Sequence, residues 1–97
     1  MMALGCLFAL NEGGVAVPGD IAIAGFDDIP IARCVSPPLT TVRVRIAELG
    51  ELALGRLLLG IAEEGRVKVS SQSLGSEVIV RSSCGRKLSP LIAIRQV

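Results

Sequence analysis

At 97 residues, 51% apolar and 20% charged, the chain has room for one small domain and too much apolar content to stay disordered. Ten Lys and Arg against nine Asp and Glu leave a net charge of +1, so no global field draws it to nucleic acid or to an anionic membrane. With no His, Trp or Tyr it cannot supply a Ser-His-Asp or Cys-His nucleophile pair, an imidazole-ligated metal site or an indole stacking platform.

A domain of this size buries only roughly 60–65% of the surface its unfolded chain exposes, and two Phe are its only aromatic residues, so independent folding is marginal. Cys6, Cys34 and Cys84 are odd in number, widely spaced and outside any CxxC arrangement. Neither a disulfide framework nor a zinc site follows, and a reducing, cytoplasmic setting fits them. The apolar run from Ala3 to Leu10 lacks a basic leader. No apolar stretch reaches the roughly 18 residues of a spanning helix, so no membrane association is expected.

In chain order, residues 1–12 carry apolar side chains at helical spacing and no Pro, and Gly13-Gly14 followed by Pro18 supplies the stop. No Ser, Thr, Asp or Asn precedes this helix as a cap, the pattern of a chain that opens inside an element. The turn chemistry of Pro18-Gly19-Asp20 introduces Ile21-Ala22-Ile23-Ala24-Gly25-Phe26, an apolar run without alternation that predicts a strand covered on both faces in a parallel sheet. From Asp27-Asp28 to Pro38 three prolines mark a loop of restricted freedom, and Leu39 to Val44 reads as a short strand.

Residues 46–64 predict a helix with Ile46, Leu49, Ala53, Leu57 and Ile61 as a core-facing stripe. Leu52, Leu58 and Leu59 on its other side call for a second contact. Gly50, Gly55 and Gly60 each weaken that helix by roughly 1 kcal/mol, which makes it dependent on packing. Gly65 closes it, residues 67–75 form a Ser-rich connector, and Glu77 to Arg81 predicts another strand. Beyond Ser82 the structural signal is weak, apart from an apolar patch at Leu91-Ile92-Ala93-Ile94.

In open parallel sheets ligands bind beyond the carboxyl ends of the strands, where backbone amides and loop side chains converge. Asp27 falls at that place, and its carboxylate can accept two sugar hydroxyls or an exocyclic amine; as an alternative it caps an Asx turn. Asp28 is the structural member of the pair by the same turn chemistry. Adjacent carboxylates on extended backbone point to opposite sides, which argues against a shared acid–base or metal site. Arg33 reads as a solvated loop charge or as a partner for Asp27 or an anionic effector. Cys34, in an apolar-flanked loop without a neighbouring base, and Cys6 read as buried, inert thiols. Gly13-Gly14 and Gly25 match no phosphate-binding pattern.

Ala3-Leu4-Gly5, the segment from Gly14 through Val17-Pro18-Gly19-Asp20-Ile21-Ala22-Ile23-Ala24-Gly25-Phe26-Asp27-Asp28, and Ser36-Pro37-Pro38-Leu39-Thr40-Thr41-Val42 form a recognisable whole. Together they resemble the effector-binding core of the lactose-repressor (LacI/GalR) family of bacterial transcription regulators, near its carboxyl end, over residues 1–83. The resemblance implies an α/β chain that is a fragment of a periplasmic-binding-protein-like two-lobed fold, with parallel sheets flanked by helices and the effector in the cleft. Residues 1–40 would belong to the carboxyl-side lobe and 41–83 mostly to the other, including the helix at 46–64 and the strand near 77–81. Residues 84–97 leave the family pattern as a divergent tail.

By position, the resemblance makes Asp27 the effector contact and Phe26 an aromatic residue beside the cleft. It also places Ile31, Cys34 and Val35 in a loop that overlaps the family's dimer contacts, with Cys34-Val35 replacing an aromatic-containing pair. The implied partners are a small polar effector such as a carbohydrate and a second copy of the chain. DNA would be reached only through an N-terminal helix-turn-helix, whose basic recognition pattern does not occur in these residues. No catalytic residue, metal or cofactor is implied. The leading expectation is an effector-sensing portion of a repressor. The alternative is a truncated remnant that self-associates without sensing, and a third reading is an enzyme that uses the Asp27-Asp28 pair.

Overall fold

The computed structural model describes residues 2–66, 68–86 and 95–96. Its contacts divide the chain into two compact units, Met1–Val44 with Ser76–Gln96, and Arg45–Gly75. The first holds helix α1 (Met2–Glu12) and strands β1 (Ala24–Phe26), β2 (Thr40–Arg43), β3 (Ser76–Ile79) and β4 (Arg95–Gln96), with 3-10 turns at Pro30–Arg33 and Ser82–Cys84. The second holds helix α2 (Ile46–Ala62). The apolar patch at Leu91–Ile94 lies outside the described residues.

The strands form one sheet in the order β1-β2-β3-β4. β1 and β2 run parallel, with Ala24 opposite Thr40 and Phe26 opposite Val42, so the α/β reading of the sequence holds at this pair. The β2–β3 and β3–β4 ladders are antiparallel, which makes the sheet mixed. The strand near 77–81, which the resemblance groups with the helix at 46–64, is bonded to β2 in the sheet that contains β1.

The end of α1 follows from its glycines. Gly14 takes φ +71°, and the Val15 N–H donates to the Leu10 carbonyl at 2.9 Å, a left-handed close that a Cβ would strain. Among the described residues the core of this unit is Leu7, Ile23, Ala32 and Leu39, ringed by Ala3, Leu4, Leu10, Val17, Ile29 and Val35. Gly25 permits the close approach of α1 to β1, because a Cβ there would stand 3.0 Å from Leu39 Cδ2 and 3.2 Å from Ala3 Cβ.

Three packing expectations are corrected. The run Ile21 to Phe26 pairs as a strand over only three residues, and Ile21 and Phe26 are exposed; only Ile23 reaches the core. On α2 the predicted core stripe is exposed, with Leu57 at 60%, and no residue of the helix is buried. Among the described residues of its own unit α2 meets the connector, where Leu49, Leu52 and Ala53 face Leu74 and Arg56 donates to the Ser70 carbonyl and to Gln72 Oε1. Cys6 and Cys34 are exposed rather than buried. Leu7 takes the inward position next to Cys6, and Ala32 and Val35 take it on either side of Cys34.

Candidate functional site

The loop after β1 sets two adjacent carboxylates in opposite roles. Asp27 and Asp28 both adopt left-handed backbone, with φ +84° and +46°. Such conformations cost on the order of 1–3 kcal/mol each in a non-glycine residue, and Asp is among the residues that tolerate them. The turn is held by backbone bonds: the Asp27 N–H donates to the Val42 carbonyl at 2.9 Å, and the Asp28 N–H to Thr41 Oγ1 at 3.1 Å.

Asp28 is nearly enclosed, its side chain 6% exposed, and both carboxylate oxygens are taken. Arg43 donates through Nε at 2.8 Å and Nη2 at 2.7 Å to Oδ2, and Arg81 through Nη2 at 2.8 Å to Oδ1. Burial by itself would raise this carboxyl; the hydrogen bonds from Arg81 and Arg43 and their two positive charges outweigh it and hold Asp28 below the usual carboxylate range. Arg81 is fixed a second time, donating through Nη1 to the Leu39 carbonyl at 2.8 Å and through its backbone N–H to Thr40 Oγ1 at 2.9 Å.

Next to this pair Ser83, fully buried, ties the starts of β1 and β2 together. Its hydroxyl accepts the Thr40 N–H at 2.8 Å and donates to the Ile23 carbonyl at 2.6 Å. Its own N–H donates to the Pro38 carbonyl, and its carbonyl accepts the Ile23 N–H. No buried side-chain nitrogen or oxygen among the described residues lacks a partner, so the network is closed.

Asp27 stands outside that network. It is exposed at the carboxyl end of β1, and among the described residues its carboxylate takes no hydrogen bond or ion pair. Beside it Phe26, 62% exposed, borders an open depression of about 550 Å³ lined mainly by apolar atoms of α1 and β1, with Ala3, Cys6 and Ile29 on its walls. With Asp28 saturated by two guanidiniums, the two carboxylates do not converge on one acid–base centre. Among the described residues no group of three or more His, Cys, Asp or Glu could hold a metal ion.

The three residues assigned to self-contact lie on one turn with different exposures. Ile31, 52% exposed, is part of the 3-10 turn Pro30–Arg33, and Cys34 caps it with its N–H on the Ile31 carbonyl; Val35 is half-buried against the core. Arg33 is exposed and makes no ion pair among the described residues, so it does not partner Asp27. Arg43, Arg81 and Ser83 were not singled out by the sequence reading. A signal exists for Arg43 alone, a basic residue on the short strand that follows the Asp-Asp loop; Arg81 and Ser83 lie more than fifty residues beyond Asp28 and no spacing points to them.

Residues 1–84 match the model of the periplasmic binding protein-like domain, and the chain belongs to that family. Its relatives there are LacI/GalR transcription regulators. It is 44% identical over 82 residues to the HTH-type transcriptional regulator GanR of Bacillus subtilis, covering 84% of this chain and 24% of that protein. It is 39% identical over 82 residues to a lactose operon repressor of Rhizobium radiobacter, covering 84% of this chain and 71% of that protein. The crystal structure of the lac repressor dimer bound to operator and the anti-inducer ONPF superposes with a TM-score of 0.74 at 35% identity, over 86% of this chain and 24% of that one. The chain thus spans about a quarter of two of these three proteins, and its α/β architecture is a piece of their effector-binding domain. No helix among the described residues is long and apolar enough to cross a membrane.

Proposed function

We propose that this chain is part of the effector-sensing and dimerisation domain of a bacterial LacI-type repressor, and that Asp27 contacts a small polar effector of the carbohydrate class. The observation that carries the reading is the contrast within the Asp pair: Asp28 is consumed by Arg43 and Arg81, while the Asp27 carboxylate stands open where a parallel strand ends. A free carboxylate accepts two hydroxyls in charge-assisted bonds, and the exposed Phe26 ring beside it offers an apolar face to a sugar ring. Ile31 and Cys34, outward on their turn, supply contacts to a second copy, with Val35 anchoring the turn to the core. Regulation then follows from linkage: an effector that favours one arrangement of the domain shifts the DNA affinity of an attached helix-turn-helix. No step of this reading is catalytic.

Thermal melting against a panel of mono- and disaccharides and nucleosides tests it. At a concentration near 100 times Kd a true effector stabilises by about 2.7 kcal/mol. The shift is expected in the wild type and absent in Asp27→Ala, and much reduced in Asp27→Asn, which tolerates the same left-handed backbone and whose urea midpoint without sugar stays at the wild-type value. Absence of any shift across the panel sinks the proposal. Melting that depends on protein concentration but on no sugar favours the second reading, self-association without sensing, which the exposed Leu54, Leu57, Leu58 and Leu59 support.

A further inference from the structure

We infer that Asp28 is a positioning residue for Asp27: clamped by Arg43 and Arg81, it locks the strained turn that holds the Asp27 carboxylate open, and makes that geometry depend on the seating of residues 80–84. The inference rests on the effector-contact reading of Asp27 and adds the device that aims it.

The turn contains two successive left-handed aspartates and no glycine to relax it, so something outside the turn must over-determine its backbone. The backbone N–H groups supply one anchor at each residue, Asp27 to the Val42 carbonyl and Asp28 to the Thr41 hydroxyl. The remaining freedom is that of Asp28 about its own side chain, and three short contacts remove it. Arg43 comes from β2, the strand beside β1; Arg81 comes from beyond β3, after the whole of α2 in sequence. The two grips differ in permanence. Arg43 is half-exposed and held by this contact, whereas Arg81 is largely buried and bound to the Leu39 carbonyl and Thr40 Oγ1 as well.

Two residues past Arg81, Ser83 closes the bonds between the starts of β1 and β2. Segment 80–84 therefore fixes β1 at both ends, through Ser83 at Ile23 and through Arg81 at Asp28. Any event that lifts this segment removes the more rigid of the two grips on Asp28, leaves it to the half-exposed Arg43, and loosens the direction in which Asp27 points.

The test compares wild type, Asp28→Asn, Arg81→Gln, Arg81→Lys and Arg43→Gln by two readouts. The first needs no effector: the intraresidue amide–Hα nuclear Overhauser effect and the amide–Hα coupling at Asp27, which report positive φ. The expected result is loss of the positive-φ signature in Asp28→Asn and Arg81→Gln, partial retention in Arg81→Lys, and a smaller loss in Arg43→Gln, whose exposed position keeps the chain folded should the buried variants fail to fold. The second is lactose affinity by calorimetry, expected to weaken on the order of tenfold in Asp28→Asn, the scale of loss when an orienting outer partner is removed at metal sites. Wild-type φ signatures at Asp27 in Arg43→Gln and in whichever buried variants fold overturn the clamp. Unchanged lactose affinity in Asp28→Asn, with Asp27→Ala abolishing it, overturns the link to binding. If neither lactose nor any other sugar of the melting panel binds the wild type, the sensing reading alone fails, and the backbone signature then decides the clamp.

Discussion

Helices α1 and α2 are both rich in apolar residues, and α2 is the more amphipathic of the two, yet only α1 buries a side chain. Leu7 of α1 meets Ile23, Ala32 and Leu39, while α2, among the described residues of its own unit, meets a Ser-rich connector at Leu74 and shares an open depression with Val69. An apolar stripe is thus a demand for a partner and not evidence that one is in reach. Among the described residues the sheet unit answers the demand with four core residues and a closed polar network, in which one carboxylate joins two arginines.

The heaviest blow to that contrast is Asp28→Ala. It leaves the buried Arg81 guanidinium without its counter-charge and is expected to cost about 3–5 kcal/mol in urea unfolding, the range for breaking a buried ion pair from one side. The same carboxylate sets a pH dependence. Its folded pKa is depressed, so its contribution is present above the ordinary carboxylate range and is lost as pH falls through the folded value. Stability of the wild type should fall on acidification in that window, and the Asp28→Asn curve should lack this component.

Leucine truncations sharpen the comparison between helices. Leu7→Ala is expected to cost about 2–5 kcal/mol, whereas Leu57→Ala, at an exposed site, should stay within about 0.5 kcal/mol of wild type. Equal losses at the two positions would show that α2 is covered in solution. Ser83→Ala should cost about 1–3 kcal/mol, because the Thr40 N–H and the Ile23 carbonyl lose their bonds to its hydroxyl in a buried setting. The smallest effect has the opposite sign. Gly55→Ala, with no atom within 4 Å of the added Cβ, should raise helix content and stabilise α2 by about 0.5–1 kcal/mol, read by circular dichroism.

Much of the element order is legible in the residues themselves. Gly13-Gly14 marks the end of α1, the prolines bound the loop between β1 and β2, and Gly65, at φ +79° with its N–H on the Gly60 carbonyl, closes α2 where expected. These are local signals: each depends on the dihedral range of one residue or on spacing within a few turns. The different roles of Asp27 and Asp28 are half legible, since turn chemistry marks both as loop residues and the strand end marks the first.

The sequence by itself determined the α/β character, the helix stops and the position of Asp27 at a strand's carboxyl end, because backbone preference and periodicity act over short range. Tertiary structure alone decided what those features touch. The antiparallel register that sets Thr41 opposite Ile79 carries Arg81 past the end of β3 to Leu39 and Asp28, and it brings Ser83 between Ile23 and Thr40. No spacing in the chain encodes that register, which follows from how the strands pair and which faces find cover. For the same reason Cys6, beside Leu7, Cys34, beside Val35, and the apolar stripe of α2 lie open: burial depends on the surface that arrives from elsewhere in the fold.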